Sequence, residues 1–450
     1  MLKEAWTLAI ETLSWMEMRR LSEPLAFART VKQLGIEDYD SLRFAHRLVS
    51  ETVRRQNFID RFINEVLKPG TIDEYSLGVQ AFLRLYVYQT RIAKNWSEPN
   101  LREAESAANM ARSILGWKTL ADVEPFLGVL LTRRRESVFA GLGDEERVGL
   151  ETFHPAWFVS YCFKLFGRNE TIAMLEADVR PPLTYLRLNT LKAGEERILE
   201  RLVEEGVRLE KVEPLSCTYR VVASRQPVTR TSCFKEGLIY VQDKGSCFMV
   251  EAANPQPGMT ILDVCAAPGA KTTFLAQLMR NRGSILSVDY SRRRITVWKS
   301  QIARMGVEIA EPIIADARAP LPFMGEADVV VLDPPCTGTG TFGKVPSAKW
   351  RLSHRSVERM AEVQWQMLNK IAERVKTGGS LIYSTCSVTV EENEMVIEKF
   401  LKWHLEFSLA EIPLRMGSAG LRGLEKCRRL YPHLDECNGF FVARLLKNDV

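Results

Sequence analysis

Hydrophobic and polar positions follow a helical period over residues 1–140. Apolar side chains recur every three to five residues, as in Phe44, Leu48, Val49 and Val53, and a similar stripe runs through residues 59–67 and 82–87. Such spacing places one apolar face on each helix. We predict an all-helical bundle for this region, with a boundary in the glycine- and acid-rich stretch 141–146.

The pattern changes between residues 150 and 240, where short strand-like and helix-like stretches are mixed. Residues 184–188 and 219–222 are predicted strands, and residues 195–205 are a predicted helix. These elements indicate a small α+β domain.

From residue 243 onward, short apolar runs alternate with helical stretches. Predicted strands cover residues 260–264, 284–288, 313–314, 328–332, 381–383 and 440–445, and predicted helices cover 272–279, 292–305 and 357–375. This alternation is typical of a doubly wound, mostly parallel sheet, which binds ligands at the carboxyl ends of its strands. We therefore predict an α/β protein with domains over residues 1–143, 144–240 and 241–450.

Composition and charge narrow the class of protein. The 450 residues are 46% hydrophobic and 26% charged, and the net charge is +5. Residues 241–450 hold 27 basic and 23 acidic side chains, net +4, which permits a polyanionic partner. No apolar run is long enough to cross a bilayer and the chain begins without a signal-peptide core, so we expect a cytoplasmic protein with no membrane partner.

The cysteines indicate reduced thiols. Nine of them are scattered along the chain without a C-x-x-C pair, and the five histidines do not cluster with them. A disulfide scaffold or a structural zinc site does not fit this distribution, so we expect no metal.

The first candidate motif is DVCAAPGAKTT over residues 263–273, directly after a predicted strand. Its small residues allow close approach of the backbone to a ligand, and Pro268 suits the first turn of a helix. Asp289 and Asp316 follow the next two strands. An acid in the Asp289 position can hold ribose hydroxyls, although acids also commonly end strands or cap helices. Together Asp263, which begins the motif, Asp289 and Asp316 point to a nucleoside-bearing cofactor.

Two cysteines also follow predicted strands. Asp333-Pro-Pro-Cys336 closes one strand and Cys386 closes another. A single cysteine in such a place is usually a small buried hydrophobe. Two at neighbouring strand ends beside a cofactor cleft are better explained as reactive thiols.

The segment GTGTFGK over residues 338–344 nearly matches a phosphate-binding loop, but Val345 and Pro346 replace the hydroxyl residue and the helix start that such a loop requires. We interpret it as a mobile substrate loop with Lys344, Lys349, Trp350 and Arg351, or as an ordinary solvated loop.

The order of these motifs resembles the Fmu/RsmB/Sun (NOL/NOP/Sun) family of RNA 5-methylcytosine methyltransferases. The resemblance spans essentially the whole chain and rests on the Cys265–Lys271 loop, Thr385-Cys386-Ser387, Glu392-Asn393-Glu394 and GFFVA over 439–443. It implies a NusB-like helical RNA-binding domain over residues 1–143, an RRM-like RNA-binding domain over 144–240, and a class I methyltransferase domain with a seven-stranded sheet over 241–450.

The resemblance also implies a role for each matching residue. Cys386 matches the nucleophile and Cys336 the cysteine that assists product release, while Asp333 would lie between cofactor and cytosine and Lys271 would move a proton or orient the base. S-adenosylmethionine is the implied cofactor, and its implied contacts are Cys265, Ala266, Ala267, Pro268, Gly269, Ala270, Lys271, Asp289, Arg294, Asp316 and Asp333. The implied RNA contacts are Arg187, Asn189, Lys344 and Arg351.

This sequence departs from the family pattern at four positions. Ala270 replaces the second glycine of the loop, Pro334 replaces an alanine, Gln301 replaces a common asparagine and Asn438 replaces an aspartate. None of these changes removes a reacting group. The resemblance therefore implies C5 methylation of a cytosine in rRNA or tRNA, with rRNA preferred, by a monomer that forms a covalent cysteine–C6 adduct.

Three other functions remain open from the residues alone. In a DNA cytosine methyltransferase the Pro-Cys after the fourth strand is the nucleophile, which favours Cys336 but leaves Cys386 unexplained. In an amino-methyltransferase an aromatic residue occupies the place of Cys336. A non-catalytic RNA-binding or ribosome-assembly factor is the third, and both cysteines and the complete cofactor loop argue against it.

Overall fold

The computed structural model describes residues 2–96 and 98–449, which pack into two compact units. The first, here called the helical unit, comprises residues 1–180 and 342–351. The second, the catalytic unit, comprises residues 181–341 and 352–450. The chain thus leaves the catalytic unit after Thr341 and returns to it at Leu352.

The helical unit is built from amphipathic helices, as the apolar stripes predict. Leu48, Val49 and Val53 are buried together with Phe62 and Phe82 in one core. Asp38 caps one helix by accepting a hydrogen bond from the Ser41 backbone N–H at 2.9 Å. The helices are α1 Leu2–Arg19, α2 Glu23–Leu34, α3 Tyr39–Arg54, α4 Gln56–Leu67, α5 Leu77–Val87, α6 Leu101–Leu115, α7 Trp117–Leu120, α8 Glu124–Thr132, α9 Asp144–Glu151, α10 Ala156–Phe166 and α11 Arg168–Ala177.

The helical unit extends beyond the boundary expected at residue 143. Three further helices, α9 to α11, belong to it, and Leu150 is buried in the same core as Phe62. The glycines at 141 and 143 therefore separate two helices of one unit, because the apolar face of α9 completes the core rather than starting a new one.

Residues 342–351 are also part of the helical unit, and they are packed there rather than solvated. The Lys349 side chain is fully buried, and its ammonium donates to the carbonyl oxygens of Phe153 at 2.7 Å and Arg54 at 3.1 Å. The Trp350 indole N–H donates to the Val53 carbonyl at 2.6 Å. The alternative of a mobile or solvated loop is therefore wrong for Lys349 and Trp350, because α3 and the Phe153 turn supply hydrogen-bond acceptors for them.

Lys349 lies in a buried charged cluster with Asp178 and Arg54. Burial lowers the pKa of Lys349 and raises the pKa of Asp178, both to about 7. The negative charge of Asp178 raises the pKa of Lys349, and the positive charge of Lys349 lowers the pKa of Asp178, so each charge opposes the effect of burial on the other group. Arg54 donates to the carbonyl oxygens of Asp178 at 2.7 Å and Gly343 at 3.0 Å. The cluster thus ties the inserted segment to α3 and to the residue after α11.

We expect Lys349→Met to destabilise the helical unit by about 3 kcal/mol, because it leaves the buried carbonyls of Arg54 and Phe153 without their donor and removes one of the charges that offset Asp178. Hydrogen exchange of the amides in α3 and α4 measures this loss. Lys344→Met is the matched control, since Lys344 is exposed on the same segment, and it should change the stability by less than about 0.5 kcal/mol. Equal protection in the two variants would contradict the assigned role of Lys349.

The catalytic unit begins with a four-stranded antiparallel sheet in the order β2-β3-β1-β4. Ile198 and Leu202 of its helix pack with Leu186 and Leu188 of the central strand in a separate small core. This is the small α+β arrangement that the sequence predicts. Its elements are β1 Tyr185–Leu188, α12 Glu195–Glu204, β2 Val207–Lys211, β3 Thr218–Ser224, α13 Ser232–Lys235 and β4 Ile239–Val241.

A larger sheet forms the centre of the catalytic unit. Its order is β11-β12-β13-β9-β8-β5-β6-β7, with β10 also paired to β13. The elements are α14 Lys244–Ala252, β5 Thr260–Val264, α15 Ala270–Leu278, β6 Ser284–Asp289, α16 Arg292–Met305, β7 Ala310–Ile314, β8 Ala327–Leu332, α17 His354–Ile371, β9 Val375–Thr385, α18 Glu394–Trp403, β10 Phe407–Ala410, β11 Ser418–Ala419, β12 Arg428–Leu430, α19 Pro432–Asp435 and β13 Phe440–Lys447.

Strands β5 to β9 run parallel and β13 is antiparallel, so the predicted α/β class with a mostly parallel sheet is confirmed. The short strands β11 and β12 extend the expected seven strands to nine within the described residues. The helix expected over 357–375 ends instead at Ile371, because β9 begins at Val375. Because the parallel strands all end at one edge, the loops that follow β5, β6, β7, β8 and β9 meet there.

Candidate active site

The loop between β5 and α15 forms one wall of the site. Cys265 has a left-handed backbone (φ 65°), and the Ala266 N–H donates to the Val288 carbonyl at 3.0 Å. Gly269 has φ 110°, and a Cβ there would lie 3.3 Å from Trp298. The loop therefore follows a tight path that needs glycine at 269, while the alanine at 270 is accommodated at the start of α15.

Asp263 stabilises this loop from the protein interior. It is fully buried, and the Thr272 hydroxyl donates to its carboxylate at 2.5 Å, while the Trp298 indole N–H donates to the same hydroxyl at 3.0 Å. Burial raises the pKa of Asp263 to about 7. Asp263 thus supports the loop from the interior and does not line the cavity.

Asp289 also lies behind the loop rather than facing the cavity. Its carboxylate accepts hydrogen bonds from the backbone N–H groups of Ala267 at 3.3 Å and Ser291 at 3.0 Å. Arg294 approaches the same carboxylate at 3.1 Å and donates to the Ala267 carbonyl. Asp289 therefore positions the loop in this structure, and its expected contact with ribose hydroxyls stays a prediction.

The opposite rim is formed after β6 and β7. The Tyr290 side chain is 68% exposed and lines the cavity. The Arg318 guanidinium bonds the Asp316 carboxylate at 2.6 Å and holds the pKa of Asp316 below its ordinary value. This rim offers an aromatic ring and a carboxylate at the cavity edge.

The two strand-end cysteines lie side by side. Their sulfur atoms are 3.1 Å apart, and both residues line the cavity. The hydrogen bond with Cys386, followed by burial, raises the pKa of Cys336 well above its ordinary value. Either thiol can be the donor in this contact, and the raised pKa of Cys336 favours its neutral, protonated form.

Cys265 is the third cysteine that lines the cavity. Burial raises its pKa to about 12, so it stays a neutral thiol. A neutral thiol is a poor nucleophile. The two cysteines whose sulfur atoms are in contact, Cys336 and Cys386, are the candidate reactive centre.

Asp333 and Lys271 form an ion pair beside the cysteines. The Lys271 ammonium lies 2.6 Å from the Asp333 carboxylate, which also accepts a hydrogen bond from the Ser384 hydroxyl at 2.9 Å. Burial by itself lowers the pKa of Lys271, but the Asp333 carboxylate outweighs it and raises that pKa. Lys271 is therefore a cation that holds a proton next to Asp333.

A buried carboxylate, Glu392, joins the two cysteine loops. It accepts hydrogen bonds from the Thr337 N–H at 2.8 Å and from the Ser387 hydroxyl at 2.7 Å, each next to one cysteine. The Gln364 side chain donates both to Glu392 at 2.9 Å and to the Pro335 carbonyl at 3.0 Å. Glu392 thus fixes the spacing of the two cysteines, a positioning role that the sequence does not reveal.

The remaining two residues of the same motif act on the loop after β9. Asn393 accepts from the Thr385 hydroxyl at 2.5 Å and donates to the Ser387 carbonyl at 2.9 Å. Glu394 forms a buried ion pair with Arg429, which also donates to the Val388 carbonyl at 2.9 Å. Each residue of Glu392-Asn393-Glu394 therefore holds the segment around Cys386.

Together these walls enclose a cavity of about 560 Å³. The expected residues that line it are Cys265, Ala266, Ala267, Pro268, Ala270, Lys271, Arg294, Asp316, Asp333, Cys336 and Cys386, and Gly269 and Asp289 are not among its lining residues. Pro334 and Pro335 of the predicted Asp333-Pro-Pro-Cys336 motif also line it, whereas sequence reasoning missed Tyr290, Arg318, Val363 and Met367. Val363 and Met367 are one helical turn apart on α17, which is the ordinary spacing of core residues and gives no sign of a site. The one sequence signal for Tyr290 is that it follows Asp289.

Two expected RNA contacts lie in the protein interior. Arg187 is fully buried and donates to Gln242 at 2.9 Å and to Gln277 at 2.6 Å. Asn189 donates to the carbonyl oxygens of Gly237 and Met305, both at 2.8 Å. This corrects the expectation for both residues, because their donors already satisfy protein acceptors and neither side chain reaches the surface. Lys344 and Arg351 are exposed on the helical unit and are not among the residues that line this cavity, so their expected contact with RNA stays a prediction.

The cavity fits S-adenosylmethionine in size and chemistry. Its volume is within the range of roughly 300–1,000 Å³ found for small-molecule sites. The small side chains of Ala266, Ala267 and Ala270 leave room for close contact, while Tyr290 and Asp316 offer partners for an adenosine group. When bound, this cofactor supplies an electrophilic methyl group.

Two further searches of the described residues gave negative results. No group of three or more potential ligands that could hold a metal ion was found among residues 2–96 and 98–449. In the same part of the chain, none of the helices has the length and apolar character needed to cross a membrane.

Comparison with known proteins identifies the family. Residues 250–446 match the family described as 16S rRNA methyltransferase RsmB/F, and residues 154–222 match its ferredoxin-like domain. A methyltransferase homologue from Pyrococcus horikoshii is 31% identical, and the match covers 68% of this chain and 100% of that one, with a TM-score of 0.62. The chain belongs to the RsmB/F methyltransferase family. The methyltransferase activity expected from the sequence is thereby confirmed.

Other known proteins are similar to different lengths of the chain. The crystal structure of PH0851 covers 99% of both chains with 29% identity and a TM-score of 0.82. The probable ribosomal RNA small subunit methyltransferase B of Bacillus subtilis is 29% identical over 98% of each chain. The 25S rRNA (cytosine-C(5))-methyltransferase of Schizosaccharomyces pombe is 35% identical over 63% of this chain. The matched part covers 49% of that relative.

Proposed function

We propose that this methyltransferase modifies C5 of a cytosine in ribosomal RNA, through a transient covalent bond between the Cys386 sulfur and C6 of the base. One observation carries the proposal: the sulfur atoms of Cys336 and Cys386 lie 3.1 Å apart in a cavity that also holds the Lys271–Asp333 pair. A cytosine C5 methylation needs both a nucleophile for C6 and a proton-handling group for the ring, and these residues supply them.

Cytosine C5 is a weak nucleophile until C6 is attacked. Addition of the Cys386 thiolate to C6 raises the electron density at C5, which then takes up the methyl group. A water molecule then accepts the C5 proton, and the electron pair of the C5–H bond forms the C5=C6 double bond as the C6–S bond breaks, which restores the aromatic ring and returns the Cys386 thiolate. A cysteine suits this role because thiols provide the strongest side-chain nucleophile near neutral pH.

Cys336 is proposed to assist the release step. Its raised pKa keeps its proton, and its sulfur is 3.1 Å from the Cys386 sulfur that must leave the ring. A thiol in this place can stabilise the departing thiolate by donating a hydrogen bond. The ion pair of Asp333 with the protonated Lys271 is placed to offset the charge that develops on the cytosine ring.

Ribosomal RNA is the proposed substrate because the related proteins from Bacillus subtilis and Schizosaccharomyces pombe carry rRNA in their names. A target base must leave its stack to enter a cavity of this kind, at a cost of a few kcal/mol that is smaller in loops. An unpaired cytosine in a structured rRNA region therefore suits the site best.

The test is to incubate the protein and S-adenosylmethionine with unmodified small-subunit rRNA, large-subunit rRNA and bulk tRNA, and to map 5-methylcytosine by bisulfite sequencing. We expect a single rRNA cytosine to become methylated and tRNA to remain unchanged. Methylation confined to tRNA would overturn the rRNA assignment. Methylation of another base, or of N4, would overturn the proposed chemistry as a whole.

A further inference from the structure

A second cavity lies within the helical unit, and its lining combines aromatic rings with arginines. It has a volume of about 250 Å³, and its lining includes Phe58, Trp96, Phe153, Arg55, Arg135 and Asn95. None of these residues belongs to the catalytic cavity. Aromatic rings and guanidinium planes are the groups on which proteins stack unpaired bases of RNA.

The rings and cations of this cavity are arranged around Phe58. Trp96 and Phe153 meet the Phe58 ring edge to face, with centroids 5.8 and 6.0 Å away. The Arg135 guanidinium lies 5.8 Å from the Phe58 centroid, and the Arg55 guanidinium lies 5.1 Å from the Phe153 centroid. Phe58 itself is only 1% exposed, so a flat ligand that entered here would meet the half-buried rings of Trp96 and Phe153 and the planar cations beside them.

The backbone around the cavity is strained at three lining residues. Asn95, Trp96 and Phe153 have φ of 51°, 57° and 60°. Left-handed backbone is a genuine outlier for bulky residues such as Trp and Phe, and it clusters at ligand sites. Cys265 in the catalytic cavity shows the same feature, with φ of 65°.

Specific contacts hold these strained residues in place. The buried ammonium of Lys349 donates to the Phe153 carbonyl at 2.7 Å. The Trp96 N–H donates to the Arg91 carbonyl at 2.9 Å, directly after a π-helical turn over Tyr88–Ile92. π-Helical turns are also frequent at functional sites. One long-range contact, from Lys349, and one local contact, to Arg91, thus hold Phe153 and Trp96 at the cavity.

We propose that this cavity binds one unpaired nucleotide of the RNA substrate, with its base against the aromatic rings and its phosphate near Arg135, since Arg55 is already paired with Glu51 at 2.6 Å. The proposal rests on the proposed function, which makes RNA the substrate. The cavity has room for a single base rather than for a stacked helix. Asn95 and Glu151 at its lining offer amide and carboxylate groups to the edge of that base.

The test uses the full-length protein and two cavity variants, Arg135→Gln and Trp96→Leu, with matched controls. Arg134→Gln removes the neighbouring exposed arginine, and Trp117→Leu removes an exposed tryptophan of the same unit, and neither control residue lines the cavity. Binding is measured by fluorescence anisotropy with fluorescein-labelled adenosine and uridine dodecaribonucleotides at several salt concentrations.

We expect each cavity variant to weaken RNA binding about tenfold, in line with the loss of one stacking or phosphate contact, and each control to stay within about twofold. Arg135→Gln should also reduce the slope of log Kd against log salt by about 0.7 to 1, because one phosphate contact is lost, whereas Trp96→Leu should leave that slope unchanged. Methylation of the rRNA by both variants should show a raised KM for RNA and an unchanged kcat.

The outcomes separate this inference from the proposed function. RNA affinity and salt slope equal to those of the wild type in both variants would overturn the cavity proposal while methylation stands. Failure of the wild type to methylate any RNA would overturn the proposed function, and the anisotropy measurement would still decide the cavity. If Trp96→Leu does not fold, Arg135→Gln and its neighbour Arg134→Gln decide the question alone.

Discussion

The Cys386→Ser variant is expected to lose RNA methylation by more than about a thousandfold, because it removes the proposed nucleophile. A serine hydroxyl is far less acidic than a thiol and does not form the anion that must attack C6. The loop around residue 386 should keep its shape, since Asn393 and Glu392 hold it through Thr385 and Ser387. Transfer of a tritiated methyl group to rRNA measures the loss.

Cys437→Ser is the matched control for this prediction. Cys437 is a partly buried cysteine of the same unit that does not line the catalytic cavity, and its replacement should leave the rate within about twofold. A Cys386→Ser enzyme that keeps its activity while Cys336→Ser loses it would reverse the two assignments. It would also favour the chemistry of DNA cytosine methyltransferases.

The sequence predicts those parts of the site that depend on short stretches of chain. Strand-end positions can be inferred from alternating apolar runs, and parallel strands bring their carboxyl ends to one edge. Asp333, Cys336 and Cys386 accordingly line one cavity, as their positions after β8 and β9 predict. The polarity pattern is sufficient here because each residue lies within a few positions of the strand that places it.

Contacts between distant segments could not be predicted in this way. Arg187 lies on a strand of a small domain, where an arginine is ordinarily solvated, but its guanidinium is buried against Thr273 and Gln277. Glu392 is similar, since it bonds residues that are 28 and 55 positions away. Nothing in the local sequence distinguishes a carboxylate that joins two loops from one exposed to water.

The segment 342–351 shows the same limit at the scale of a unit. Its lysines and its tryptophan are typical of an exposed loop, and Lys344 is indeed exposed. Lys349 is buried because α3 and the turn at Phe153 supply carbonyl acceptors for it. The compensation for burying its charge comes from residues that lie almost 200 or more positions earlier in the chain, and local polarity therefore predicts the wrong environment.

The Cys336→Ser variant is expected to accumulate a covalent protein–RNA adduct, because in the proposed mechanism attack and methyl transfer depend on Cys386 while release depends on Cys336. The Cys336 thiol lies 3.1 Å from the Cys386 sulfur, and its raised pKa keeps a proton there for the departing thiolate. A serine hydroxyl is shorter and a weaker acid, so it supports the same step poorly. Cleavage of the C6–S bond should therefore become rate-limiting.

Denaturing gel electrophoresis of the variant with end-labelled rRNA measures this adduct directly. The wild type turns over and should show little of the shifted band, whereas Cys336→Ser should convert most of the active enzyme to it in one turnover. The double variant Cys336→Ser/Cys386→Ser should show none, because the bond to C6 needs the second sulfur. A shifted band in Cys386→Ser alone would contradict the assignment, since it would place the attacking sulfur on residue 336.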